Sequence, residues 1–167
     1  MHCPPEGPPS HAREIVHRTV TYVRKLILEW NAKTFEVATP YDPSLSQLYN
    51  LVNIYNPTTL YILSTRPDVD EKLEEFRNAL ILRGIRISKI IVSTVVSSNL
   101  EETIKKAEEI VSRADVICVS GKPAALCMAL AINAAKQKKM ICYVLDDRPE
   151  KERLKNSYEE LEVVNVL

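Results

Sequence analysis

Two short apolar runs, residues 116–119 (Val-Ile-Cys-Val) and 141–145 (Ile-Cys-Tyr-Val-Leu), flank a stretch from Ala124 to Lys136 with almost no polar face. Unbroken β-rich runs of this length are the pattern of strands buried on both sides, and the stretch between them has the length and composition of a helix. The pattern predicts a βαβ unit in which Ser120-Gly121-Lys122-Pro123 is the turn leaving the first strand. Open α/β sheets bind ligands outside the carboxyl ends of their strands, so this turn is the first candidate for chemistry.

The rest of the chain repeats the alternation. Ser10 can cap a helix to about Asn31, with Ile15, Val16, Val20, Val23, Leu26, Ile27 and Trp30 as its apolar stripe and Arg13, Arg18, Arg24 and Lys25 off it. Residues 1–9 are Pro-rich without an apolar run, so a frayed tail is expected rather than a signal peptide. Residues 34–39 read as the first strand. The turn "PYDPSLSQ" then offers Ser44 or Ser46 as cap of a short helix over 45–55, which Asn56-Pro57 stops.

Residues 59–63 form the second predicted strand, ending in Ser64-Thr65-Arg66-Pro67. Asp68 reads as the cap of a helix burying Val69, Leu73, Phe76 and Leu80, closed by Gly84. Residues 87–92 are the third strand, ending in Ser93-Thr94. Ser98 with Glu101 has capping-box spacing for a helix that turns Leu100, Ile104, Ala107 and Val111 inward. After Pro149, residues 150–162 read as a charged amphipathic helix and 163–166 as an edge strand. Short connections and right-handed crossovers make this an α/β, Rossmann-like, doubly wound and mostly parallel sheet of about five to six strands, with helices on both faces. The expected division is a tail over 1–9, an added N-terminal helix over 10–32 and the Rossmann-like domain over 33–167.

Charge changes little in this picture. Twenty-two basic residues balance 22 acidic ones, so no global field calls for DNA or a membrane surface, and any anion site is local. No apolar run approaches the roughly 20 residues of a membrane span. Cys3, Cys118, Cys127 and Cys142 show no CxxC or His-partner spacing and read as small buried hydrophobes in a reducing cytoplasm. Few glycines with many Ile, Lys and Glu hint at a thermophile source.

Several familiar chemistries are excluded. Neither GxxxxGK[ST] nor GxGxxG occurs, and Pro123 stands where a P-loop has a magnesium-binding hydroxyl. His2, His11 and His17 all precede the first strand, so no Ser/His/Asp set can be argued. Asp146-Asp147 either holds a metal or caps the following loop, and the second is preferred; no metal or cofactor is expected. What remains is a set of hydroxyl-bearing strand ends, Thr39, Ser64-Thr65, Ser93-Thr94 and Ser120, converging on one sheet edge. Hydroxyls, free N–H groups and helix N-termini gathered there suit an anion or nucleotide. Lys122 is then a phosphate ligand or an ordinary solvated lysine. The helix over 124–135, apolar around its circumference, implies a second subunit on its far side and hence a twofold dimer.

Three segments carry a resemblance to a known family: "TPYDPSLSQLYNLV" leading through "NPTTLYILST", the turn and helix "VSGKPAALCMALA", and "KKMICYVLDD". Over residues 34–147 the chain resembles the CARF (CRISPR-associated Rossmann fold) family of cyclic-oligoadenylate sensors. It departs from the family in lacking two adjacent glycines in the turn, and Leu126 stands where a lysine is expected. There is no room in these residues for the effector nuclease or winged-helix domain that many relatives carry.

The resemblance implies a cytoplasmic homodimer that binds a cyclic oligoadenylate across its axis in CRISPR antiviral defence. Phosphates would meet Ser120, Gly121 and Lys122 and the turn through Pro123 and Ala124. Thr39, Tyr41, Asp42, Ser44, Ser64 and Thr65 would close around bases and riboses, with Ser93 and Thr94 on the same rim. Stand-alone members can be ring nucleases, in which a ribose 2′-OH attacks its neighbouring phosphate without metal and leaves a 2′,3′-cyclic phosphate. Lys122 would then stabilise the developing charge and Ser44 or Ser64 orient the 2′-OH. No base of suitable pKa is visible, which fits a slow enzyme or a pure sensor. Two alternatives stand beside this: a non-catalytic regulatory or scaffold dimer, and an unrelated α/β enzyme acting on a nucleotide or sugar phosphate.

Overall fold

Strands that are apolar on both sides need helices on both sides, and the computed structural model, which describes residues 35–166, supplies them. In chain order the elements are β1 (Val37–Pro40), α1 (Ser46–Tyr55), β2 (Thr59–Ser64), α2 (Asp70–Leu82), β3 (Lys89–Thr94) and α3 (Leu100–Arg113). They continue as β4 (Val116–Cys118), α4 (Ala124–Lys136), β5 (Met140–Leu145), α5 (Glu150–Lys155) and β6 (Glu162–Asn165). The sheet order is β3-β2-β1-β4-β5-β6. β1 to β5 are parallel, and β6 closes the edge antiparallel to β5, with Val163 opposite Val144. The fold is the Rossmann-like, doubly wound α/β class expected from the alternation.

Side-chain alternation along each strand builds two cores. On one face Val37, Leu60, Ile62, Cys118 and Cys142 meet Leu48 and Leu51 of α1 and Leu73, Phe76 and Leu80 of α2. On the other, Ala38, Leu63, Ile117 and Ile141 meet Ala107 and Val111 of α3 and Leu126, Leu130 and Ala134 of α4. Each such Leu or Phe contributes about 1.5–3 kcal/mol by leaving water. The chain leaves β1 toward β2 on one side and returns to β4 on the other. The order therefore reverses between β1 and β4, and the two connections part there and leave a crevice.

Several local expectations shift. The last predicted helix ends at Lys155 rather than 162. Asn50 reaches across to the segment beyond it, donating to Glu159 O (2.9 Å) and accepting from Leu161 N–H (2.7 Å), which favours extended chain there. Asp68 does not cap α2. It sits beside Arg66, and Val69 occupies the N-cap position without a side-chain hydrogen bond. α3 is capped by Asn99, whose Oδ1 accepts from Glu102 N–H at 3.1 Å, one residue beyond the Ser98 expected from spacing. The first and third strands begin three and two residues later than expected, at Val37 and Lys89. The N-terminal helix over 10–32, the three histidines and Cys3 lie outside the described residues. Among those described, no helix is long and apolar enough to cross a membrane.

Candidate functional site

The crevice is a cleft of about 640 Å³ at the carboxyl ends of β1, β2, β4 and β5. Its geometry rests on Gln47, in the first turn of α1. The Gln47 amide donates to Thr39 Oγ1 (2.8 Å) and to Ser120 O (2.9 Å), and its Oε1 accepts from Ser120 Oγ (3.1 Å). Ser120 Oγ in turn accepts from Val144 N–H at 3.0 Å. One side chain thus ties α1 to β1 and β4, and through Ser120 to β5. Of the two residues expected at the ligand, Thr39 lies buried beneath the cleft and Ser120 is a nearly buried part of its lining, and this network engages both hydroxyls.

Above Gln47 the chain turns through Gly121, whose φ of 113° lies where side chains are rarely tolerated. A Cβ there would stand 3.4 Å from Gln47 Oε1. The next residue, Lys122, is exposed on the cleft wall and makes no hydrogen bond or ion pair among the described residues.

The turn after β1 is organised by Asp42. Its carboxylate accepts from Ser44 N–H (3.0 Å), Ser44 Oγ (2.8 Å) and Gln47 N–H (2.9 Å). Ser46 does not cap α1, and Ser44 Oγ takes only a long hydrogen bond from Ser46 N–H (3.4 Å); a carboxylate set back in the loop carries the main role by reaching N–H groups of both loop and helix. Ser64, fully buried, is closed in a local turn, donating to Arg66 O (3.0 Å) and accepting from Arg66 N–H (2.9 Å). Tyr41 reaches the cleft as a neutral phenol, because burial pushes its pKa up despite the lowering effect of Arg66.

Asp146 is held by Arg148 in a two-pronged pair (2.8 and 2.9 Å). The same guanidinium donates to Glu159 (2.7 Å) and to Ser46 Oγ (3.1 Å), clamping the loop after β5 onto the start of α1. The hydrogen bond from Arg148 holds the Asp146 carboxyl below its ordinary range. No cluster of His, Cys, Asp and Glu with metal-site geometry occurs among the described residues. Cys118 and Cys142 face each other across β4 and β5; their mutual hydrogen bond and burial push the Cys142 thiol up.

Of the remaining expected site residues, Thr65, Pro123, Gly121 and Asp42 line the cleft with Lys122. Ala124 opens α4 just beyond it. Ser93 and Thr94 end β3 at the far edge of the sheet, two strands from β1, so they do not reach the cleft, whereas Ser97 of the following turn does. Sequence reasoning did not single out Gln47, Ser97 or Arg148, nor Arg153, which also lines the cleft. Gln47 sits on the otherwise apolar side of a short helix next to buried Ser46 and Asn50, and that run of polar residues was the available signal.

An open, doubly wound sheet with a cleft at its switch point, lined by charges of both signs, is a Rossmann-like fold. No family model matches the sequence, and no curated protein does. Among solved structures the chain is similar to Can2 from Sulfobacillus thermosulfidooxidans in complex with cyclic tetra-adenylate, with a TM-score of 0.55 and 18% identity over 67% of this chain and 32% of that one. It is also similar to protein VC1899 from Vibrio cholerae, with a TM-score of 0.52 and 8% identity over 66% of this chain and 30% of that one. The matched region is thus about a third of either protein, and at these identities the likeness carries the fold alone.

Proposed function

We propose that the chain binds a cyclic oligoadenylate, as a homodimer with one ring held across two clefts, in CRISPR antiviral signalling. The carrying observation is the cleft at the β1/β4 switch point, lined by Lys122, which has no partner among the described residues, and by Arg66, in a fold shared with a protein solved with cyclic tetra-adenylate. Lys122 and the N–H groups of its turn would meet phosphate, while Tyr41 and Thr65, lining the same cleft from the turns after β1 and β2, would meet ribose. The second copy is supported by apolar residues left exposed on neighbouring helices: Met128 and Ile132 on α4, Leu100 and Ile104 on α3.

Cleavage would proceed without metal. The 2′-OH attacks the adjacent phosphorus, the P–O5′ bond breaks, the 2′-OH proton passes to solvent and the 5′-oxygen takes one up. Lys122 can stabilise the phosphorane charge. The hydroxyls of Ser44 and Ser64 are already engaged in turn hydrogen bonds, and Tyr41 is too weakly acidic to serve as a base at neutral pH. These engagements favour a sensor that turns its ligand over slowly or not at all.

Radiolabelled cyclic tetra- and hexa-adenylate, incubated with the chain in EDTA, separate the readings. A retarded complex with little or no cleavage is the expected result; fast cleavage would restore a catalytic role to the turn hydroxyls. If neither ring is retarded the proposal fails, leaving a scaffold dimer or an enzyme of other specificity. Lys122→Ala is expected to weaken binding by about ten-fold or more, the loss of one charge-assisted hydrogen bond, with an unchanged melting temperature.

A further inference from the structure

The cleft has two unlike ends. One is polar, built by the turns after β1, β2 and β4. The other, built by β5 and α5, presents Tyr143, Leu145 and Leu154, exposed by 41%, 41% and 55%. Tyr143 and Leu145 share the sheet face that α4 covers at Ile141, but they lie beyond its reach. The Tyr143 hydroxyl makes no hydrogen bond among the described residues, so nothing visible in the fold requires an aromatic ring at this exposed position. Arg153 lines the same cleft. Its Nε is shielded from solvent yet has no hydrogen-bond partner among the described residues. A buried donor left unpaired is costly, and native structures rarely keep one without a reason.

We propose that this wall is the nucleobase subsite: a purine ring stacks on Tyr143 beside Leu145 and Leu154, and a ring-nitrogen acceptor of the base takes a terminal N–H of the Arg153 guanidinium, for which no hydrogen bond occurs among the described residues. Stacking on an exposed aromatic ring is indifferent to base identity. The hydrogen bond supplies the choice, because purines present unprotonated ring nitrogens at their edges. Exposed acids on the same wall, Asp147 and Glu150, can accept from an exocyclic amino group and so favour adenine over uracil. The phosphates then fall toward Lys122 at the polar end. This assignment moves base recognition from the turns after β1 and β2 to β5 and α5, and it rests on the ligand class proposed above.

The test is a titration of the full chain with cyclic tetra-adenylate and cyclic tetra-uridylate. Wild type is expected to prefer the adenylate ring. Tyr143→Ala should lose about ten-fold in affinity for it, and Tyr143→Phe, which keeps the ring, should lose little. Arg153→Met should narrow the adenylate preference, whereas Lys122→Ala should weaken both rings alike. The inference is overturned if Tyr143→Ala binds with wild-type affinity and selectivity. It is equally overturned if Tyr143→Ala runs as a smaller species on size exclusion, which would assign the wall to a second copy. Should wild type bind neither ring, the ligand class proposed above is wrong, and the subsite is decided by adenosine 5′-monophosphate against ribose 5-phosphate. A preference for the nucleotide that Tyr143→Ala abolishes upholds the subsite; equal binding, or none, removes it.

Discussion

Gln47 illustrates how a single amide can set the shape of a binding edge. Its three hydrogen bonds reach Thr39 on β1 and both the hydroxyl and the carbonyl of Ser120 beyond β4. Gln47→Leu keeps the volume but leaves those groups without their partner. It is expected to cost about 2–3 kcal/mol, read as a lower midpoint in urea unfolding at constant m-value. Gly121→Ala acts on the same turn from above. The backbone strain at its φ and the 3.4 Å approach to Gln47 predict a loss of about 1–3 kcal/mol and weaker ligand binding, measured by melting and by titration. The Ser, Thr and Lys residues of these turns were legible from sequence because they follow apolar runs directly. Gln47 was not, because its partner Ser120 is 73 residues away, and the polar run with Ser46 and Asn50 marks a polar spot on the helix without saying what it meets.

Elements carry the next level. The unit β4–α4–β5 was the most legible part of the chain, and α4 spans Ala124–Lys136 as its pattern predicts. Unbroken apolar runs leave no alternative register there. Ends decided by capping were less legible, since Asn99 and Ser98, or Asp42 and Ser44, are chemically interchangeable as caps until the backbone places one of them. The last predicted helix failed for another reason: its charged periodicity is real, but Asn50 pins the chain at Glu159 and Leu161 into extended form.

Two predictions belong to this scale. Asn50→Ala should release that segment, seen as faster amide exchange at Leu161 and in β6 with the rest of the sheet still protected. The Asp146–Arg148 clamp should also make stability depend on pH. Asp146 is held below its ordinary carboxylate pKa, so the unfolded chain binds its proton more readily. The resulting stability is fully present above the unfolded pKa, about 4, and is lost as pH falls through the lower folded value. Asp146→Asn is expected to be less stable than wild type at pH 7 and to show a shallower loss below about pH 4, as followed by denaturant unfolding across that range.

For the molecule as a whole, the doubly wound order follows from alternation and short connections, and the switch point between β1 and β4 follows from the order. What alternation could not provide was the bipartite character of the cleft, polar at the turns and apolar along β5. Exposure of Tyr143 depends on where α4 ends over the sheet, and that is settled only by packing. The central claim is that two such clefts share one ring. Calorimetric titration of the chain with cyclic tetra-adenylate, alongside its mass by light scattering, tests this most directly. A dimer that saturates at one ring per two chains is the predicted result; a monomer saturating at one ring per chain, or no heat of binding at all, would contradict it.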